Sequence, residues 1–242
     1  MTNTNDSNDM NGINDVNSLS DLLKYFRFVT PLNEINEPEK KILHKILKEE
    51  HSQRETRRIR RLIQLSGIKK IKTLEEFDWT FNPKISRNKI MEFTNSNWIE
   101  NACNLTFIGP AGVGKTHLAS AICYRAAQKG YTTVFITSHD LIGKLDKARN
   151  VHTLIDYYSK VKVFCLDELG YVFPSPEHAN CIFQIISKRA ENLPTIITSN
   201  LIPSQWGKIF DSATATAILD RLTMKGTFVI IEGRSYRSKD NK

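Results

Sequence analysis

A chain of 242 residues, 40% hydrophobic and 25% charged, has room for one sizeable α/β core plus a smaller appended domain, and its composition is that of a soluble globular protein. No apolar stretch approaches the length of a membrane-crossing helix. The formal net charge of +8 is localised: from Glu39 to Lys72 twelve Lys or Arg stand against four Glu, so the whole excess lies in one segment and points to a polyanion. The opening residues lack both a basic leader and an apolar core, so the expected location is the cytoplasm. Cys103, Cys123, Cys165 and Cys181 show no CxxC pairing and are expected to be four buried thiols, and the six histidines lack ligand spacing.

Residues 1–18 hold six asparagines and almost nothing apolar, and are expected to be disordered. From Ser20 to Val29 the apolar density suits a short buried helix ended by Pro31. Asn36-Glu37-Pro38-Glu39 reads as a capping box opening a long helix to about Leu65, with Gly67 as its stop. Together, residues 19–67 form a helical, basic N-terminal domain. Between Lys48 and Arg58 that helix has no apolar residue, hence no core to pack on. Arg54, Arg57, Arg58 and Arg61 recur at i, i+3, i+4 and i+7, one outward face of four guanidinium groups. Two readings stand: sequence-tolerant contact with a phosphate backbone, or a solvated face laced with pairs such as Glu50 to Arg54. Residues 68–104 read as a connector. Its Phe77, Trp79 and Phe81 alternate as a short strand or extended clamp would; they are read as an aromatic cluster seating the helical domain against the core, with stacking of nucleic-acid bases as the alternative, and a helix follows from about Ser86 to Phe93.

Residues 105–242 carry the chemistry. Leu105–Ile108 reads as a buried strand, Thr116–Ala127 as a helix, and between them lies a match to GxxxxGK[ST]. Gly109, Pro110, Ala111, Gly112, Val113, Gly114, Lys115 and Thr116, with His117 next along the helix, are the candidate phosphate contacts. Such a loop turns its N–H groups into one concavity at a positive helix end, where polyphosphate binds. Lys115 is placed for the β/γ-phosphates and the Thr116 hydroxyl for Mg2+. Further on, Thr132–Thr137 reads as a second strand, and Val161–Glu168 as an apolar strand ending in two acids. In that Walker B pattern Asp167 completes the Mg2+ environment beside Thr116, and Glu168 polarises the attacking water. Thr195–Ser199 is a further strand with Asn200 at its tip, either a turn residue or a neighbour of the γ-phosphate. A helix over Thr214–Leu222 places Arg221 near its end, a last strand covers Phe228–Ile231, and too few residues follow for a separate helical lid.

With GPAGVGKTHLA, VFCLDELGY, ITSN, AILDRL and GRSYR in this order, the sequence resembles the IstB-type ATPases, transposition helpers of bacterial insertion sequences. These belong to the AAA+ superfamily and are similar to the DnaC helicase loaders. The resemblance runs from about Lys40 to Arg237 and includes KTLEEFDWTFNP. It implies an α/β parallel-sheet P-loop NTPase, an AAA+ core without a full lid, preceded by a small helical domain. It also implies an ATP-dependent homo-oligomer that clamps duplex DNA, uses Mg2+, hydrolyses ATP and works with a partner transposase. By motif, Asn200 is the sensor, Arg221 the finger reaching a neighbouring subunit's ATP, and Arg237 an extra phosphate contact. One departure is His178, where family members commonly have Gly before Ala179-Asn180. Two other functions share the same core: a replicative helicase loader, and a DNA-binding module using ATP only as a conformational ligand, against which Glu168 argues.

Overall fold

The computed structural model describes residues 18–236; the asparagine-rich stretch up to residue 17 and Arg237 lie outside them. Five strands, β1 (Asn104–Ile108), β2 (Thr133–Thr137), β3 (Val163–Leu169), β4 (Thr195–Ser199) and β5 (Gly226–Ile230), form one sheet in the order β2-β3-β4-β1-β5. Every pairing is parallel. Parallel neighbours need crossover helices, and these bury both faces, which is why β1 and β4 are buried at every position, polar residues included.

The period of two sorts the core. Leu105, Phe107, Cys165 and Ile196 face one way, onto α5 (Lys115–Gln128) and the segment that holds α3 (Arg87–Met91) and α4 (Asn97–Glu100). Phe164, Leu166 and Ile197 face the other way. They meet α6 (Ser138–Lys147), α7 (Val151–Lys160), α8 (Pro176–Arg189) and α9 (Ser212–Thr223). After β1 the chain leaves over the first face, and after β4 over the second. The crevice at their carboxyl ends is therefore the switch point where doubly wound sheets bind ligands.

Ahead of the sheet lie α1 (Leu19–Tyr25) and α2 (Glu37–Leu65). The capping box forms as expected: Glu39 N donates to Asn36 Oδ1 at 2.9 Å and Asn36 N to Glu39 Oε2 at 3.1 Å. The first helix differs from expectation. Ser18 caps it, and it ends six residues before Pro31, where Arg27 turns to φ +56. Leu22, Leu23 and Leu47 make a small cluster of their own between α1 and α2.

The far half of α2 does have something to pack on. Arg58 Nη1 donates to Gly130 O (3.0 Å), at the negative end of α5, and Phe135 N on edge strand β2 donates to Ser66 O (2.7 Å). Arg58 closes the stretch without apolar residues, and beyond it Ile59, Leu62 and Ile63 are half-buried. Two thiols also depart from expectation: Cys123 and Cys165 are buried, but Cys103 and Cys181 are half-exposed. No extended clamp forms at Phe77–Phe81, which is a run of turns. Among the described residues, no helix is long and apolar enough to cross a membrane.

Arg189 at the end of α8 is fully buried, with no carboxylate partner among the described residues. Its guanidinium donates to Tyr158 O (2.9 Å), Val161 O (2.7 Å), Lys162 O (3.3 Å), Pro194 O (2.6 Å) and Thr195 Oγ1 (3.1 Å). Burial pulls its pKa down to about 9, so it stays charged at neutral pH and ties α7, β3 and β4 together at the amino ends of the strands. Arg189→Leu orphans these buried acceptors and should cost about 3–5 kcal/mol, read as a lower urea midpoint with an unchanged slope. A loss below about 1 kcal/mol would show that water replaces the guanidinium.

Candidate nucleotide-binding site

The glycine loop joins β1 to α5 at the switch point, and Gly114, at φ +101, is the N-cap of α5 with no side-chain capping bond. The first N–H groups of α5 are thus left for an external acceptor, as an anion site requires. Lys115 is 6% exposed, and its ammonium donates to Gly109 O and Pro110 O, both at 2.7 Å. An ammonium seated on the carbonyls of the phosphate loop is a cation placed to meet polyphosphate.

Beside it, Asp167 is 1% exposed, and its Oδ1 accepts from Thr116 Oγ1 (3.0 Å) and Thr198 Oγ1 (2.5 Å). Burial pushes its carboxyl above the usual carboxylate range, and the Thr198 and Thr116 hydroxyls and the Lys115 charge oppose that shift. The structure thus brings Lys115, Thr116, Asp167 and Glu168 together as the spacing predicts. Glu168 sits at φ +60, within the register shift between Leu166 and Leu169. Such backbone costs about 1–2 kcal/mol for a residue with a side chain. Three hydrogen bonds hold it: Glu168 N donates to Thr198 Oγ1 (2.9 Å), and its carbonyl accepts from Ser138 Oγ (2.8 Å) and Tyr171 N (3.2 Å). The side chain lines the same pocket as the loop, about 520 Å³ in volume.

The remaining wall comes from segments outside the sheet. Connector residues Ile71, Phe77 and Phe81 and, from the other end of the chain, Tyr236 line the pocket. Phe77 packs so closely that a Cβ on Gly114 would fall 2.6 Å from its ring, and one on Gly112 would fall 2.0 Å from Ser235 Oγ. His117 lines the pocket, but its ring turns away, with Nε2 2.7 Å from Thr73 O and an edge-to-face contact with Phe77. Periodicity pointed to neither Phe77 on Gly114 nor Ser235 on Gly112. Thr198 is the polar β4 residue that lines the pocket, and sequence reading passed over it in favour of Asn200 two positions on. Asn200 stands behind that wall, against Gly170; its Oδ1 is buried and has no hydrogen-bond partner among the described residues.

The sequence model of the IstB-like ATP binding protein family matches residues 25–242. This chain belongs to that family. It is 37% identical to a chain named as the ATP-binding protein of insertion sequence IS232, from Bacillus thuringiensis subsp. berliner, over 82% of this chain and 81% of the other. It is 36% identical to the counterpart from IS21 of Pseudomonas aeruginosa, over 84% of this chain and 78% of that one. Among solved structures it is similar to DnaI, with a TM-score of 0.56 and 24% identity, covering 66% of this chain and 90% of DnaI. The DnaC helicase loader gives 0.51 and 27%, over 63% of this chain and 97% of that one. The expected P-loop AAA+ architecture is therefore the one observed, and ATP is the ligand that the family's name supplies.

The remaining site residues of this IstB-like chain are arranged less simply than their spacing suggests. The arginine stripe divides. Arg54 pairs with Glu50 (2.7 Å) and lies over the Phe26 ring, and Arg58 points inward to Gly130. Arg57 and Arg61 are exposed, joined by Arg60. Arg221 donates from Nη1 to Ala217 O (2.9 Å) on its own helix and lies over the Phe183 ring. Asn104, the first residue of β1, donates from Nδ2 to Arg221 O (3.3 Å), so Arg221 sits at the amino end of the sheet, a strand length of about 16 Å from the loop that follows β1. His178 ties the start of α8 to α6 through Asp146 (2.9 Å), a contact that glycine lacks. Lys115→Ala removes the cation seated on the Gly109 and Pro110 carbonyls. ATP affinity should fall roughly a hundredfold or more, two charge-assisted contacts being worth about 1.5–3 kcal/mol each, and direct titration of the nucleotide reads it.

Proposed function

We propose that this IstB-like chain is a Mg2+-dependent ATPase that assembles head to tail on duplex DNA and serves a partner transposase. The observation that carries the proposal is the Thr116–Asp167–Thr198–Glu168 cluster beside the phosphate loop. Thr116 and Asp167 would hold the ion, few protein ligands being usual for Mg2+ bound together with substrate phosphates. When bound, Mg2+ neutralises charge on the phosphate oxygens. Lys115 leaves the Gly109 and Pro110 carbonyls for the phosphates, and the α5 N–H groups orient them. Glu168, which lines the pocket, accepts a proton from the attacking water, and Asn200, buried behind the pocket wall against Gly170, must turn toward the pocket to position that water. Arg221 acts on a neighbouring subunit's ATP, since it lies at the wrong end of the sheet for its own. The transposase assignment is supported by the insertion-sequence relatives, whose identity exceeds that to the DnaC helicase loader.

Arg221→Ala and Glu168→Gln should each be nearly inactive alone and recover on mixing. Random assembly joins an intact Glu168 to an intact Arg221 at roughly one interface in four, so up to about a quarter of wild-type hydrolysis returns. A mixture that co-assembles yet stays inactive would leave Arg221 as a cap for its own helix.

Contact with DNA is carried by the exposed Arg57 and Arg61. Replacing both with Ala should weaken binding to unrelated duplexes alike and flatten the plot of log K against log salt by roughly two units. Arg58→Ala should leave that slope largely unchanged while loosening α2 from the core, seen as faster amide exchange near Gly130.

A further inference from the structure

The nucleotide pocket is built from two kinds of wall. Lys115, Thr116, Thr198 and Glu168 supply the charges and hydroxyls that suit phosphates and Mg2+, whereas Ile71, Phe81, Asn82 and Tyr236 supply an uncharged wall from the connector and the closing segment. Phe81 and Tyr236 meet edge to face with ring centroids 5.0 Å apart, and Tyr236 N donates to Gly112 O (2.9 Å), so that wall is fixed to the phosphate loop itself. A purine presents flat apolar faces and a polar edge, and such a wall suits the faces. The polar group left to meet the edge is Asn82. It is 6% exposed, and its Nδ2 donates to Glu232 O. A backbone carbonyl only accepts, so the carboxamide nitrogen has to face Glu232 and the arm left for the pocket is Oδ1. No donor among the described residues reaches that oxygen. Gly233, at φ +132, brings the closing segment so near that a Cβ there would lie 3.2 Å from Nδ2.

We infer that Asn82 reads the base of the bound nucleotide, its Oδ1 accepting a hydrogen bond from the 6-amino group of adenine. The inference rests on the proposed seating of the triphosphate at Lys115. A buried acceptor without a donor is costly, and the 6-amino group of adenine relieves that cost on binding. Guanine and hypoxanthine carry a 6-oxo group instead, and two acceptors facing each other leave both unsatisfied. Asn82 has no second way to answer a 6-oxo base. Turning the carboxamide over would set Oδ1 against Glu232 O and forfeit the bond that holds the side chain. The choice of base is thereby tied to the packing of the connector on the closing segment.

Direct titration of the full chain with three triphosphates that differ only at position 6 of the purine tests this. ATP carries an amino group there, ITP an oxo group, and purine riboside triphosphate hydrogen alone. ATP should bind roughly tenfold or more tighter than purine riboside triphosphate, and ITP no tighter than the latter. Asn82→Ala should lower ATP affinity to that of purine riboside triphosphate while leaving the latter almost unmoved. Equal affinities in the unmodified chain would overturn the inference without touching the phosphate site. So would an Asn82→Ala chain in which all three weaken alike, because the residue would then hold the wall and not read the base. Tightest binding of ITP would overturn it too, giving the base to the ammonium of Lys70 or Lys72, which also line the pocket. Should Lys115→Ala leave ATP affinity unchanged, the seating of the triphosphate falls and the inference falls with it.

Discussion

Asp167, near the carboxyl end of a central strand, is almost without solvent, and two threonine hydroxyls from different elements converge on one of its oxygens. An ionised carboxylate so placed is costly, which is why its pKa rises, and hydrogen bonds alone offset the cost only in part. The rest of the site is built around that cost. Thr116 arrives on the first turn of α5, Thr198 on β4, and the Thr198 hydroxyl also accepts from Glu168 N, so one side chain positions both acids of the pair. A cation beside Asp167 would relieve the unfavourable burial, and the site is then most stable when loaded.

The glycines of the phosphate loop answer to more than phosphate. Gly112 is roofed by Ser235 and Gly114 by Phe77, and Tyr236 N donates to Gly112 O (2.9 Å). The connector and the chain's closing segment also meet each other, through Phe81 against Tyr236 and Lys84 with Glu232 (2.9 Å). A displacement of the loop on nucleotide binding has to be accommodated by both segments. Through the connector it reaches α2, whose last turn is bonded to edge strand β2.

Arginine is put to four different uses in this chain. Arg189 replaces a polar core with one buried guanidinium; Arg58 caps a carbonyl across an interface; Arg54 stitches α1 to α2; Arg57 and Arg61 face solvent. All have the same chemistry and several share one helix. Their different neighbours, rather than their spacing, decide which can meet a nucleic acid.

Local chemistry determined much of this protein from the sequence alone. The capping box of α2, the buried strands, the helix behind the phosphate loop and the pairing of Thr116 with Asp167 follow from periodicity, turn residues and motif spacing, because each depends on neighbours in the chain or on a topology that parallel strands enforce. Tertiary structure alone decided that Arg58 points inward, that Thr198 meets Asp167, that Cys103 is half-exposed, and that Phe77 and Ser235 close over the loop. Those contacts join residues from 31 to 123 positions apart, as Thr198 to Asp167 and Ser235 to Gly112 show. Helical and strand periods specify which face a side chain leaves from, but which partner waits there is set only when distant segments pack.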